Sequence, residues 1–152
     1  MKIVFLDFDG VLNSLSDVAF GVGSSCFNAT AVERLNAIVR RSGAKVVISS
    51  SWRVLHTIDE LRAILEKAGF NGEIIGSTPV YEYKDACGLA DIGFIRCREI
   101  QAWIDVHPTP LTSFVILDDL ELEPLAAYHV KTEMEVGLCE HHVDQALDVL
   151  GI

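Results

Sequence analysis

Four aspartates in two pairs are the residues of this chain best placed to do chemistry: Asp7 with Asp9, and Asp118 with Asp119. The first pair lies in the run Phe5-Leu6-Asp7-Phe8-Asp9-Gly10-Val11. Side chains two apart on a strand share a side, so Asp7 and Asp9 are expected to face one site. Gly10 then lets the chain turn away with no side chain in its path. Carboxylates held close repel unless a proton or a cation lies between them. A hard divalent ion with oxygen ligands, most naturally Mg2+, answers that need. Simple solvation at a strand end would account for one aspartate, and accounts poorly for two after a buried run. The second pair follows Val115-Ile116-Leu117 and can complete the metal shell.

Two further features complement the acids. Val46-Val47-Ile48 runs into Ser49-Ser50-Ser51-Trp52-Arg53. A serine hydroxyl there, with backbone N–H groups of the turn, can hold a phosphate oxygen. Attack by a carboxylate on a phosphate dianion also requires positive charge near the nucleophile, beyond the metal. Arg96 is the first choice, with Lys84, Arg98 and Arg53 as rivals; each of these also reads as a surface charge.

The elements that must position these residues alternate strand and helix. Lys2–Phe8 and Ala44–Ile48 read as buried parallel strands, Glu73–Ile75 and Phe114–Leu117 as shorter ones, and Tyr128–Lys131 as a last. Thr30 is expected to cap a helix to about Ser42, stopped by Gly43. Thr57-Ile58-Asp59-Glu60 is a capping box opening a helix that Gly69 closes. Phe94–Val106 is amphipathic, with Ile95, Ile100, Trp103 and Ile104 turned inward, and Glu140–Leu150 is a final helix. Gly76–Gly93 shows no period and reads as a long loop. The alternation predicts a three-layer, doubly wound α/β fold with a mostly parallel sheet. Ligands bind at the carboxyl ends of such strands, where the polar residues fall.

Composition limits the alternatives. Half of the 152 residues are hydrophobic, which excludes a disordered chain and suffices for the core of one domain. No apolar run approaches the ~20 residues of a membrane span, and residues 1–6 are too short for a signal sequence, so a cytoplasmic protein is expected. Net charge is −10 with no basic stretch, which argues against a broad nucleic-acid footprint while leaving room for a local basic pocket. Cys26, Cys87, Cys97 and Cys139 form no C-x-x-C pair and read as idle thiols. Cys139 with His141 and His142 could suggest a metal cluster; the first turn of a terminal helix is the plainer account.

Taken together, the motifs resemble the haloacid dehalogenase (HAD) superfamily of phosphohydrolases, in order over nearly the whole chain. Asp7-Phe8-Asp9-Gly10-Val11 resembles its first motif, Ser50 the second, Arg96 the third and Asp118-Asp119 the fourth. More narrowly, S-S-S-W-R, R-x-x-E-I-x-x-W and V-I-L-D-D resemble small HAD domains associated with RNA-repair systems. The resemblance implies that Asp7 attacks phosphorus and forms an aspartyl-phosphate, while Asp9 protonates the leaving oxygen and then activates water. It implies that Ser50, with Ser51 beside it, binds phosphoryl oxygens and that Arg96 neutralises charge. Asp119 would bind Mg2+ with Asp7 and the Asp9 carbonyl oxygen, Asp118 supporting from behind or through water. Arginine at position 96 departs from the commoner lysine.

Superfamily members often carry a cap domain. Here Asn13–Asn28 and Gly76–Gly93 occupy the insertion points and are too short for one, although Gly21 and Gly23 would let the first act as a flap. An open site follows, suited to a phosphate on a bulky molecule such as a nucleotide or nucleic-acid end, with Trp52, Arg53, Tyr81 and Tyr83 as candidate contacts. Phosphoryl transfer to an acceptor other than water, or a non-catalytic binding domain of this fold, are the alternatives. Retention of both Asp7 and Asp9 counts against the latter. A receiver-type signalling domain would accept phosphate at an internal strand, unlike this D-x-D.

Overall fold

A computed structural model describes residues 1–19, 27–82, 89–107, 111 and 113–152. Its centre is a five-stranded, all-parallel sheet of β1 (Lys2–Leu6), β2 (Lys45–Ile48), β3 (Ile74–Ser77), β4 (Ser113–Asp118) and β5 (His129–Lys131). The strands lie in the order β3-β2-β1-β4-β5. The strands are therefore apolar on both faces, as a sheet covered on two sides demands. Helices α2 (Ala29–Ser42), α3 (Ile58–Lys67) and α5 (Glu140–Val149) supply one apolar layer, around Leu6, Val46 and Leu117. Helix α4 (Leu89–Val106) covers the other face, where Ile100 and Trp103 pack with Phe5, Val47 and Ile116. The architecture is the expected three-layer α/β fold. A short helix α1 (Leu15–Ala19) follows the first turn. No helix among the described residues is long and apolar enough to cross a membrane.

Several boundaries differ from expectation for local reasons. Asn28, not Thr30, caps α2, its carboxamide oxygen accepting from Thr30 N and Ala31 N. Gly43 closes that helix at a φ of 67°. The Thr57–Glu60 capping box forms with both reciprocal bonds. Strand β3 extends to Ser77 after a register shift opposite Val46 and Val47.

The largest difference is α4, which begins at Leu89 and not at Phe94. Gly93 lies inside it. A Cβ there would meet the carbonyl oxygen of Glu121 at 2.1 Å. Glycine inside a helix costs about 1 kcal/mol relative to alanine, so this one is a close-approach residue and no breaker. Arg96 consequently sits about two turns inside the helix. The loop expected over 76–93 reduces to its first half, of which 83–88 lie outside the described residues, Tyr83 and Lys84 among them. Gly21 and Gly23, the hinges expected of a flap, also lie outside.

Candidate active site

Strand register decides which residues meet. Leu6 pairs with Leu117 on one side and Ile48 on the other, so Asp7 and Ser49, just past the ends of β1 and β2, stand beside Asp118, the last residue of β4. Asp7 N donates to Leu117 O at 3.0 Å, and Ser49 N to Leu6 O at 2.9 Å. The chain visits β2 and β3 on one side of β1, then β4 on the other. The crevice at that reversal is where doubly wound sheets bind ligands, and Asp7 and Asp118 flank it.

Alternation sets the faces. Phe5, Val47 and Ile116 face α4, and Asp7, Ser49 and Asp118 follow each of them by two residues. Arg96 reaches this row from α4. Its Nη1 donates to Asp118 Oδ2 and lies 3.2 Å from Asp7 Oδ2. All three side chains are buried. The second oxygens of both acids are also engaged, Asp118 Oδ1 by Leu120 N and Asp7 Oδ1 by Phe8 N. Asp119 is half-buried and completes the group: carboxylate oxygens of Asp7, Asp118 and Asp119 lie within 4.8 Å of one another. Gly10, at φ 76°, makes room for it, because a Cβ there would come within 2.8 Å of the Asp119 side chain.

The electrostatics of the group are strained. Burial first, and then the charge on Asp7, pushes the Asp118 carboxyl from its usual 3.8 up to about 7, against the lowering effect of Arg96. Burial and Asp7 also raise Asp119. A single guanidinium against three carboxylates leaves a negative excess in oxygen donors alone, which fits a hard divalent cation.

Asp9 lies past the end of β1 at Leu6, so a turn, and not strand alternation, sets its direction. The N–H groups of Val11, Leu12 and Asn13 all point at Phe8 O, and the Gly10 carbonyl is held by Thr132 Oγ1 at 2.7 Å. In this turn the Asp9 carboxylate accepts from Asn13 Nδ2 at 2.8 Å and from Trp52 Nε1 at 2.9 Å. Its carboxylate is not part of the group formed by Asp7, Asp118 and Asp119.

The serines divide similarly. Ser50 is fully buried and its hydroxyl accepts from Trp52 N at 3.4 Å, capping the 3-10 turn Ser51–Val54. Ser51 is exposed and lines an open pocket with Asp9. Ser49 Oγ and Thr78 Oγ1, buried beside this row, have no hydrogen-bond partner among the described residues.

Of the rival cations, Arg53 is committed to structure. Its buried guanidinium donates to the carbonyls of Ser49, Ser50, Thr78 and Pro79 and to Glu99 Oε2. Arg98 is exposed, 5.4 Å from the Tyr81 ring centroid. Lys84 lies outside the described residues. Sequence reasoning missed Asn13, Thr132 and Glu99 as supports; only Glu99 carried a signal, in the R-x-x-E spacing from Arg96.

A second cluster, Cys139, His141 and His142, also brings potential ligand atoms within 4.8 Å. His142 Nδ1 accepts from Cys139 N at 2.9 Å, which leaves its proton on Nε2, 3.8 Å from Glu133. A protonated ring nitrogen has no lone pair for a metal, so Cys139 and His142 serve as the cap of α5. Cys97 is a free, buried thiol whose pKa burial raises to about 11.

A parallel sheet with this aspartate cluster at its switch point is the arrangement of the HAD fold, and the comparison agrees. The family described as the HAD domain in Swiss Army Knife RNA repair proteins matches residues 3–143. The chain belongs to that family. No curated protein and no solved structure matches it.

Proposed function

We propose that residues 1–152 form one catalytic domain that hydrolyses phosphomonoesters with Mg2+ through an aspartyl-phosphate on Asp7. The observation that carries this reading is the contact of Arg96 with both Asp7 and Asp118 at the crevice between β1 and β4. Arg96 holds Asp7 Oδ2 and offsets charge where a phosphoryl group would meet the nucleophile. Asp7, Asp119 and the carbonyl oxygen of Asp9 would hold the metal, with Asp118 behind them. Bound there, Mg2+ would supply Lewis-acid stabilisation of the transferring group.

The remaining roles belong to the chain itself. Asp7 attacks in line, the ester bond to the leaving oxygen breaks, and Asp9 delivers a proton to that oxygen. Asp9 then takes a proton from water as it attacks the phosphoenzyme, which returns Asp7 to its carboxylate. Asn13 and Trp52 fix the Asp9 carboxylate for this task. Ser50, Ser51 and the N–H groups of their turn receive phosphoryl oxygens.

The family's place among RNA repair proteins supports a phosphate on a nucleic-acid end as substrate. With a net charge of −10, contact is confined to the terminus and a few flanking groups. Hydrolysis of end-phosphorylated oligonucleotides of increasing length, with Mg2+ or excess chelator and Asp7→Asn as blank, tests this. Activity that needs Mg2+, changes little with length and falls gently with salt is expected; equal activity in chelator contradicts the metal assignment.

A further inference from the structure

Beside Asp9 lies an open pocket of about 320 Å3, walled by Ser51, Trp52, Leu55 and His56. Its walls are unusual for an exposed turn on an acidic protein. Leu55 is 84% exposed, and the neighbouring Val54 is 54% exposed. Trp52 is anchored: Phe8 and Phe27 pack against it at centroid distances of 5.5 and 5.4 Å, and its indole N–H is spent on Asp9. The His56 ring lies tilted over Trp52 at 6.0 Å, with Nδ1 3.9 Å from Glu60. A rigid aromatic base therefore carries an exposed aliphatic tip and an imidazole at its rim.

The charge of the pocket limits what can occupy it. Among the described residues no lysine or arginine lines it, Arg53 being turned into the protein against Glu99 and four carbonyls. Asp9, assigned above as the acid, supplies no cation either. A second phosphate would find no counter-charge here, which leaves a neutral, flat group. The volume is at the low end for ligand pockets, ~300–1,000 Å3, and suits one ring-bearing unit and not an extended chain.

Position identifies which part of the substrate this is. Asp9 is the residue assigned above to protonate the leaving oxygen, and this step of the inference rests on that reading. Whatever fills a pocket against Asp9 is the leaving group. We infer that Trp52, Leu55 and His56 form a leaving-group subsite for the nucleoside that bears the scissile phosphate, its base lying on Leu55 and His56. Discrimination between substrates thus comes from a neutral stacking surface next to the acid and not from cations reaching along a backbone.

The test compares adenosine monophosphate with glycerol phosphate on the full chain, in wild type, Leu55→Ser and His56→Ala. The exposure of Leu55 makes its replacement compatible with folding. Wild type is expected to favour the nucleotide in kcat/KM by tenfold or more. Leu55→Ser is expected to cut that preference about tenfold, the order expected when one apolar contact with the base is lost. Adenosine alone should quench tryptophan fluorescence, less in Leu55→Ser. Hydrolysis with the same preference in all three proteins overturns the subsite and leaves the phosphatase reading intact. Adenosine binding weakened by Leu55→Ser, with neither ester hydrolysed, supports the subsite and overturns the phosphatase reading. Preference for a phosphotyrosyl peptide over the nucleotide overturns the nucleoside assignment.

Discussion

Glu99 lies three residues beyond Arg96 on α4 and receives the guanidinium of Arg53, both side chains being almost wholly buried. Its other oxygen accepts from Tyr81 N at 2.8 Å. Arg53 in turn holds the carbonyls that end β2 and those that follow β3. One helix thus presents Arg96 to Asp7 and fixes the serine turn through Glu99. Removing one partner of a buried pair leaves an uncompensated charge and costs roughly 3–5 kcal/mol. Glu99→Ala and Arg53→Ala should each lose about that much in urea unfolding. The double variant should lose much less than the sum. Additive losses would show that the two do not act as a unit.

Arg96→Ala should lower kcat on an aryl phosphate by roughly a hundred- to a thousandfold, as for loss of one preorganised electrostatic contact. Arg96→Lys should recover part of it, since charge returns without the planar fork. If Lys84→Ala carries the loss instead, the cation that matters comes from the loop after β3.

The pH dependence of metal binding should follow Asp118. Its folded pKa of about 7 exceeds its usual 3.8. The folded state therefore keeps a proton that the unfolded chain has lost, and this group's contribution to stability falls as pH rises from about 4 through 7. Mg2+ favours the ionised cluster, so the rise in Tm on adding Mg2+ should be larger at pH 8 than at pH 5.5. In Asp118→Asn that difference should flatten. A Mg2+ effect independent of pH in wild type would contradict the buried, protonated Asp118.

Trp52→Phe keeps a ring against Phe8 and Phe27 and removes the N–H that holds Asp9. Proton delivery matters most when the leaving oxygen is basic, and general acids contribute about 10²–10⁴-fold. The variant should therefore lose more activity on alkyl than on aryl phosphates. A rate series over leaving groups of graded pKa should steepen; an unchanged slope would remove Trp52 from the positioning of Asp9.

Much of this arrangement is legible in the sequence because parallel strands buried on both faces declare themselves as apolar runs. Where such runs end, polar residues mark the ligand edge, which located Asp7, Ser50 and Asp118-Asp119. The start of α4 was hidden because Gly93 reads as a breaker, whereas it answers to Glu121 O, 28 residues away. The direction of Asp9 was hidden for a similar reason: it is set by a turn around Phe8 O and by donors from Asn13 and Trp52, which no two-residue period encodes. Arg53 looked like a free cation because its five acceptors come from three separate stretches of chain.

The central claim is that Asp7 carries the phosphoryl group, and trapping the phosphoenzyme tests it most directly. Wild type and Asp7→Asn would be mixed with a radiolabelled phosphomonoester and Mg2+, quenched in acid within one turnover, and digested. An amide is a far weaker nucleophile than a carboxylate, so the label should appear in wild type alone, on the peptide containing Asp7. It should be released by hydroxylamine, as an acyl phosphate is. Label retained by Asp7→Asn, or hydrolysis by that variant at the wild-type rate, would contradict the account.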